Sequence, residues 1–166
     1  LGMENDGFSN SVVSIQAFDE NGCTSNSVLI KSIDYAVDQG AKIMSLSWGS
    51  EMNSQFLESA MNYARSKGLI IFAAAGNEPT GKPVYPAAYP SVISVSALAP
   101  DGKAWEESNY GDFVDIAGPG FAQMPIGHNG KPGTYAGTSI STAYLAGRMA
   151  AYFRENPDEY DKQVKK

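Results

Sequence analysis

The sequence predicts an α/β fold, a parallel β-sheet with helices on both faces, and three observations carry that expectation. Apolar residues recur by turns at strand and at helical spacing through residues 11–75. The run Leu69-Ile70-Ile71-Phe72-Ala73-Ala74-Ala75 is apolar without alternation, the pattern of a strand covered on both sides. Only 18% of the 166 residues are charged while 17 Gly and 9 Pro supply tight turns, which suits loop-built sites on an α/β scaffold better than a helical bundle.

The elements follow in order. Ser11 to Phe18 mixes β-branched residues with an aromatic and stops at the turn-forming Asp19-Glu20-Asn21-Gly22, so it is expected to be a strand. Ser25 or Asn26 can then cap a helix whose Leu29, Ile33, Ala36 and Val37 share one face, with Gly40 placed for its C-terminus. Lys42 to Ser47 is the next strand. A second apolar stripe, Phe56 or Leu57 with Ala60, Met61 and Ala64, ends at Lys67-Gly68 and feeds the run Leu69–Ala75. Strand-helix-strand-helix-strand alternation implies right-handed crossovers and a site at the carboxyl ends of the strands. Ser91–Ala97 and Phe113–Ile116 are expected as shorter strands. Thr142, Leu145, Ala146, Met149, Ala150 and Phe153 repeat at helical spacing, and Ala143, Ala146 and Gly147 are small enough for close packing, so this helix is expected at the centre. From Asn156 onward the chain reads as a polar tail.

A net charge of −6 and a pI of about 4.7 oppose a nucleic-acid partner, because nothing resembles the basic footprint that phosphates require. No run reaches 18 apolar residues, so no membrane partner is expected. The single cysteine, Cys23, allows no internal disulfide, and no Cys/His cluster has metal-ligand spacing. Leu-Gly-Met-Glu-Asn at the start has neither a basic nor an apolar leader segment and no initiator Met. The chain is therefore expected to begin inside a longer precursor.

Two strand ends carry candidate chemistry. Ala73-Ala74-Ala75-Gly76-Asn77 ends an apolar strand on an amide, a neutral donor able to meet developing negative charge; its plainer reading is a turn asparagine. Gly137-Thr138-Ser139 opens the small-residue helix. A serine there is ordinarily an N-cap, but orphan N–H groups at a helix start can also face an oxyanion.

Taken with their neighbours these residues resemble the subtilisin family of serine proteases. The resemblance rests on Gly68 through Glu78, on Tyr85-Pro86-Ala87-Ala88-Tyr89-Pro90-Ser91, and on Gly137-Thr138-Ser139-Ile140-Ser141-Thr142-Ala143 with Ala146-Gly147, in that order. Within it, Ile43 to Gly49 fits the strand before the primary specificity pocket, and Ser47-Trp48-Gly49 is more similar to the kexin and furin branch than to bacterial subtilisins. The resemblance implies Ser139 as nucleophile, with the Asn77 amide and the Ser139 backbone N–H as oxyanion donors. It implies that Gly22, Cys23 and Thr24 on one side, and Ser47, Trp48 and Gly49 on the other, hold an extended peptide or protein substrate by β-augmentation. Ser47 to Gly49 and Ala74, Ala75 and Gly76 would wall the primary pocket and Val84 would form its base. A branched residue there implies a small or medium apolar substrate side chain. Glu51 is the competing clue for basic substrates, but Met52 stands where the furin branch has a second acid.

The family's Asp and His motifs, which precede the serine in chain order, are absent. The expectation is therefore one partial peptidase domain over residues 1–166, incomplete at its N-terminus and partnered by the rest of that domain. The only histidine, His128, lies in Gly127-His128-Asn129-Gly130 and reads as a loop residue rather than a replacement base. Ile140-Ser141 and Ala143-Tyr144 stand where relatives usually have Met-Ala and Pro-His, and the family normally supplies one more helix after Asn156. The implied activity is serine endopeptidase in the full-length protein, with this chain alone inactive; a pseudoprotease that only binds peptides is the alternative. A nucleotide-binding reading lacks any Gly-rich phosphate loop. No cofactor is identified from the residues. Calcium is allowed by the resemblance, although no carboxylate-rich loop marks a site. The resemblance also implies a secreted or cell-surface location.

Overall fold

The structure is a computed structural model and describes residues 11–126 and 130–164, so His128 and the N-terminal Leu-Gly-Met-Glu-Asn lie outside it. Helix α1 (Asn26–Asp38) leads to β1 (Ile43–Leu46), and α2 (Gln55–Ser66) leads to β2 (Ile70–Ala74). Then come β3 (Ile93–Leu98), β4 (Ile116–Pro119), β5 (Phe121–Met124) and β6 (Gly133–Ala136). Helix α3 (Thr138–Glu155) and α4 (Pro157–Val164) complete the chain. Strands β1-β2-β3-β4 form one sheet in that order, all parallel, with Leu46 opposite Ala73 and Ala74 opposite Val95.

The helices begin and end where local chemistry dictates. Ser25 Oγ accepts from Val28 N at the start of α1, and Ser54 Oγ accepts from Leu57 N at the start of α2. Both helices close with a pair of crossed hydrogen bonds around a glycine. Gly40 N donates to Val37 O and Ala41 N to Ala36 O, and Gly68 N donates to Arg65 O and Leu69 N to Ala64 O.

Strand β2 is buried along its whole length, and its alternation divides the core in two. Ile71 and Ala73 face Ile33 of α1 and Ala60, Met61 and Ala64 of α2. Ile70 and Phe72 face the other way, with Val95, toward Ala146 and Phe153 of α3. Helices therefore cover both faces, and α3 packs against all four strands. Of the three small residues expected to allow close packing, Ala146 and Gly147 are buried, while Ala143 is exposed.

Four expectations need correction. Residues 11–17 form no strand, because no described residue supplies a ladder partner, and Val12 and Val13 stay exposed. The strand expected at Phe113–Ile116 instead begins at Ile116 and runs through Gly118 and Pro119. Phe113 and Val114 are bent into a turn by Val114 N donating to Gly111 O, and Asp115 is taken up by Ser94, whose N–H donates to Asp115 Oδ2 at 2.9 Å. The sequence offers no strand between Ile116 and the small-residue helix, yet an antiparallel ribbon, β5 with β6, forms there. The polar tail is helix α4, docked by Tyr160, whose hydroxyl donates to Gly68 O at 2.9 Å and whose ring meets Phe153 edge-on. Among the described residues no helix is long and apolar enough to cross a membrane.

Candidate active site

Parallel pairing puts the carboxyl ends of β1 and β2 on one edge of the sheet, and α3 starts at that edge. Gly137 N donates to Gly120 O at 2.9 Å just after β4, and buried Ser141 Oγ donates to Gly118 O at 2.9 Å. Ser141 thus holds the helix onto β4, which accounts for a hydroxyl at this position.

The helix start meets the end of β2 through Asn77. Its Oδ1 accepts from Thr138 N at 2.9 Å and from Thr138 Oγ1 at 2.8 Å. Thr138 Oγ1 in turn accepts from Gly76 N at 3.3 Å, and Thr142 Oγ1 donates to Thr138 O at 2.7 Å. Two donors on Oδ1 fix which end of the carboxamide is oxygen, so Nδ2 is the free end. A Cβ built on Gly137 would lie 3.5 Å from Asn77 Nδ2 and 3.8 Å from Ser139 N. Gly137 thereby keeps open a space that both donors border. Neither Nδ2 nor Ser139 N, nor the half-buried Ser139 hydroxyl, has a hydrogen-bond partner among the described residues.

The two predicted substrate edges present backbone in complementary ways. Asp19 organises the first: its Oδ1 accepts from Asn21 N and from Cys23 N, and its own N–H donates to Cys23 O at 2.9 Å. Cys23 therefore turns its backbone inward, while Thr24 N–H and C=O and Gly22 C=O bond to no described group. Gly22 has a positive φ of 72°. On the second edge, Ser47, Trp48 and Gly49 leave β1 with unbonded backbone, and the next residue pairs antiparallel with Tyr85. Phe18 and Trp48 join the edges, their rings 5.1 Å apart in a T-shaped contact.

Val84 sits between Gly49 and Gly76. A Cβ on Gly49 would meet Val84 Cγ1 at 2.7 Å and Tyr85 O at 2.8 Å, and one on Gly76 would meet Val84 Cγ2 at 3.6 Å. Only glycine at 49 permits that approach. In the Ala74–Gly76 wall, Ala74 and Ala75 are buried in the sheet and Gly76 alone is partly exposed. Glu51 is answered by Lys82 Nζ at 3.2 Å.

Sequence reasoning missed Asn109, which is buried and bonds to both Ala75 and Lys82. The run Ser108-Asn109-Tyr110-Gly111 carries only a turn signal, and nothing local shows that its amide points into the interior. His128 lies outside the described residues. No group of three or more His, Cys, Asp or Glu side chains is placed to hold a metal ion among the described residues. The carboxylates thus supply no such cluster for the calcium the resemblance allows, and no step below uses one.

An alcohol and a carboxamide from distant segments, meeting where a helix start faces the carboxyl edge of a parallel sheet, define an α/β domain with a serine-and-asparagine site. The chain belongs to the Subtilase family, whose sequence profile matches residues 7–166. It is 35% identical over 137 residues to thermitase of Thermoactinomyces vulgaris, covering 82% of this chain and 49% of that protein. It is 30% identical over 159 residues to subtilisin E of Bacillus subtilis (strain 168), covering 93% and 42%. Among solved structures it is similar to sphericase, with a TM-score of 0.70 and 32% identity over 89% of this chain and 56% of that one. An S218A mutant of the protease domain of PatA gives a TM-score of 0.72 at 27% identity, over 86% and 55%. The chain spans less than half the length of these two curated relatives.

Proposed function

We propose that residues 1–166 are part of one peptidase domain and carry the nucleophile and oxyanion half of a serine endopeptidase. One observation supports this above the rest: Thr138 grips Asn77 Oδ1 from two sides, leaving Nδ2 to border the same open space as Ser139 N. Ser139 Oγ attacks the scissile carbonyl carbon, and its proton passes to a base in the remainder of the full-length domain. The carbonyl oxygen, now negative, receives hydrogen bonds from Asn77 Nδ2 and Ser139 N. Collapse expels the amine with that proton and leaves an acyl ester on Ser139, which water then hydrolyses by the same sequence. In subtilisin, a relative of this chain, removing the equivalent amide costs about 2.7–4 kcal/mol of barrier, and losing the serine or its base costs about a millionfold in turnover. Residues 1–166 alone are therefore expected to be inactive.

The substrate is an extended peptide lying between Gly22–Thr24 and Ser47–Gly49, with a small or medium apolar side chain over Val84. The likeness to kexin and furin extends in this reading to Ser47-Trp48-Gly49 and not to their charge selection, since Lys82 answers Glu51. The remainder of the domain would cover the apolar groove beside β1, which Ile15, Phe18, Met44, Ala146 and Ala150 help to line. A longer chain should then melt well above residues 1–166, and equal melting would oppose it. In this reading the full protein is secreted or held at the cell surface, which the name of one relative, the minor extracellular protease Epr of Bacillus subtilis (strain 168), supports.

A fluorophosphonate probe on the full-length protein is the test. Labelling that disappears in Ser139→Ala, with peptide hydrolysis that falls in Asn77→Ala, is the expected result. Peptide binding with neither labelling nor hydrolysis would replace this reading with the pseudoprotease one.

A further inference from the structure

We infer that Asn109 is a specificity-determining positioning residue, which fixes the depth of the primary pocket by tying its Ala74–Gly76 wall to the loop that carries its Val84 base. The inference rests on the peptidase reading of the pocket and adds a residue that touches neither Ser139 nor the Asn77 side chain.

Asn109 is 1% exposed. Its Nδ2 donates to Ala75 O at 3.0 Å and to Lys82 O at 2.9 Å. Its Oδ1 accepts from Gly81 N and from Tyr110 N, both at 3.0 Å. Its backbone N–H donates to Gly76 O at 2.9 Å. Both amide protons and both acceptor positions are thus in use, the full capacity of a carboxamide. Two carbonyls on one end and two N–H groups on the other leave a single assignment of oxygen and nitrogen.

Apart from the adjacent Tyr110, the partners fall into two groups, one at the wall and one on the way to the base. Ala75 and Gly76 follow directly on β2. Gly81 and Lys82 lie on the loop that reaches Val84 two residues later. The Tyr110 ring braces the same loop, 3.2 Å from where a Cβ on Gly81 would stand. Val84 Cγ2 lies 3.6 Å from the corresponding point on Gly76. Asn109 therefore ties the segment just past β2 to the loop that reaches Val84, while the Ser50–Tyr85 pairing holds the residue after Val84. A satisfied amide in a low-dielectric interior has one favoured orientation, so this link is stiff. Removing it frees the Val84 loop to retreat and admits a larger substrate side chain.

The experiment uses the full-length protein, with Asn109→Ser and Asn109→Ala, and peptides that differ only in an Ala, Val, Leu or Phe on the acyl side of the cleaved bond. Active-site titration with the fluorophosphonate confines each rate to folded molecules. In at least one variant the ratio of kcat/KM for Phe over Ala should rise tenfold or more, with kcat for the Ala peptide within threefold of wild type. Val84→Ala should raise the ratio by itself, and adding Asn109→Ser to it should raise it little further, because both act on the base of one pocket. A ratio within twofold of wild type in both variants, whatever happens to melting temperature, overturns the inference. So does failure of both variants to yield titratable enzyme, which would make Asn109 a folding residue. A wild-type protein that neither labels nor cleaves removes the peptidase reading and this inference together. One that cleaves while the ratio holds removes this inference alone.

Discussion

Replacing Thr138 by Val in the full-length protein tests the geometry of the site without touching either proposed oxyanion donor. Valine preserves the shape of a side chain that is 1% exposed and removes only its hydroxyl. Asn77 Oδ1 loses the 2.8 Å bond from Thr138 Oγ1 and keeps the 2.9 Å bond from Thr138 N. A neutral hydrogen bond contributes about 1 kcal/mol net. If all of that orients the carboxamide, turnover falls about fivefold, since about 1.4 kcal/mol is tenfold. The ceiling is the 10²–10³-fold loss that follows removal of such a donor. KM should stay within about twofold, because the amide acts on charge that exists only in the transition state. Gly76 N also loses its acceptor at 3.3 Å, so the melting temperature should drop as well. The assay is steady-state hydrolysis of one peptide by titrated enzyme, as wild type, Thr138→Val, Asn77→Ala and the double variant. If Thr138→Val costs as much in the Asn77→Ala background as in wild type, it does not act through the amide and the reasoning fails.

Three further outcomes follow from the packing. Gly49→Ala brings a Cβ within 2.7 Å of Val84 Cγ1 and 2.8 Å of Tyr85 O, so overpacking should cost about 1–3 kcal/mol in urea unfolding; an unchanged midpoint would show that the two segments part freely. Asp19→Ala removes the acceptor of Asn21 N and Cys23 N, and KM should rise for extended peptides but not for a single-residue ester, whereas Asp19→Asn, which keeps an acceptor oxygen, should resemble wild type. Burial above all, and then the charge of Asp161, raises the Tyr160 phenol above its ordinary 10.0, with Arg65 opposing. The folded state then holds that proton more tightly than the unfolded one, so the stabilisation is complete below about pH 10 and declines as pH rises beyond it. Tyr160→Phe, which loses the bond to Gly68 O, should lower stability at pH 8 by about 1 kcal/mol and flatten the alkaline decline; an equally steep decline would assign it to other groups.

Much of the fold was legible because its signals are local and mutually consistent. Ser25 caps where sequence chemistry offers a cap, and Gly40 and Gly68 close helices shortly before β1 and β2. The run Leu69–Ala75 could satisfy its apolar side chains only between two layers. The misses share a different cause. Gly118 and Pro119 are poor strand residues, yet a Cβ on Gly118 would come within 3.0 Å of Leu145, so close packing of α3 outweighs propensity there. Residues 11–17 have strand composition but no described partner, and composition does not supply one. Helix α4 buries no side chain completely, so no apolar stripe announced it. Its sign was chemical: Pro157 as first residue, then Asp158 and Glu159 in the first turn. Ser139 and Asn77 were legible as candidates only through family likeness, since each alone reads as a cap or a turn. Asn109 was illegible because three of its four side-chain partners, Ala75, Gly81 and Lys82, lie 27 to 34 residues away and are contacted only in the folded chain.

The bond between Thr138 and Asn77 spans 61 residues of sequence and joins a helix to a strand end that share no local structure. Where the carboxamide points is thus a property of docking, owned by neither element. Mild heat or denaturant that lets the long helix slide on the sheet would scramble that orientation while far-ultraviolet dichroism still reported intact helix. Loss of function should then run ahead of loss of secondary structure, and the interval between the two curves would measure how firmly the layers are pressed together.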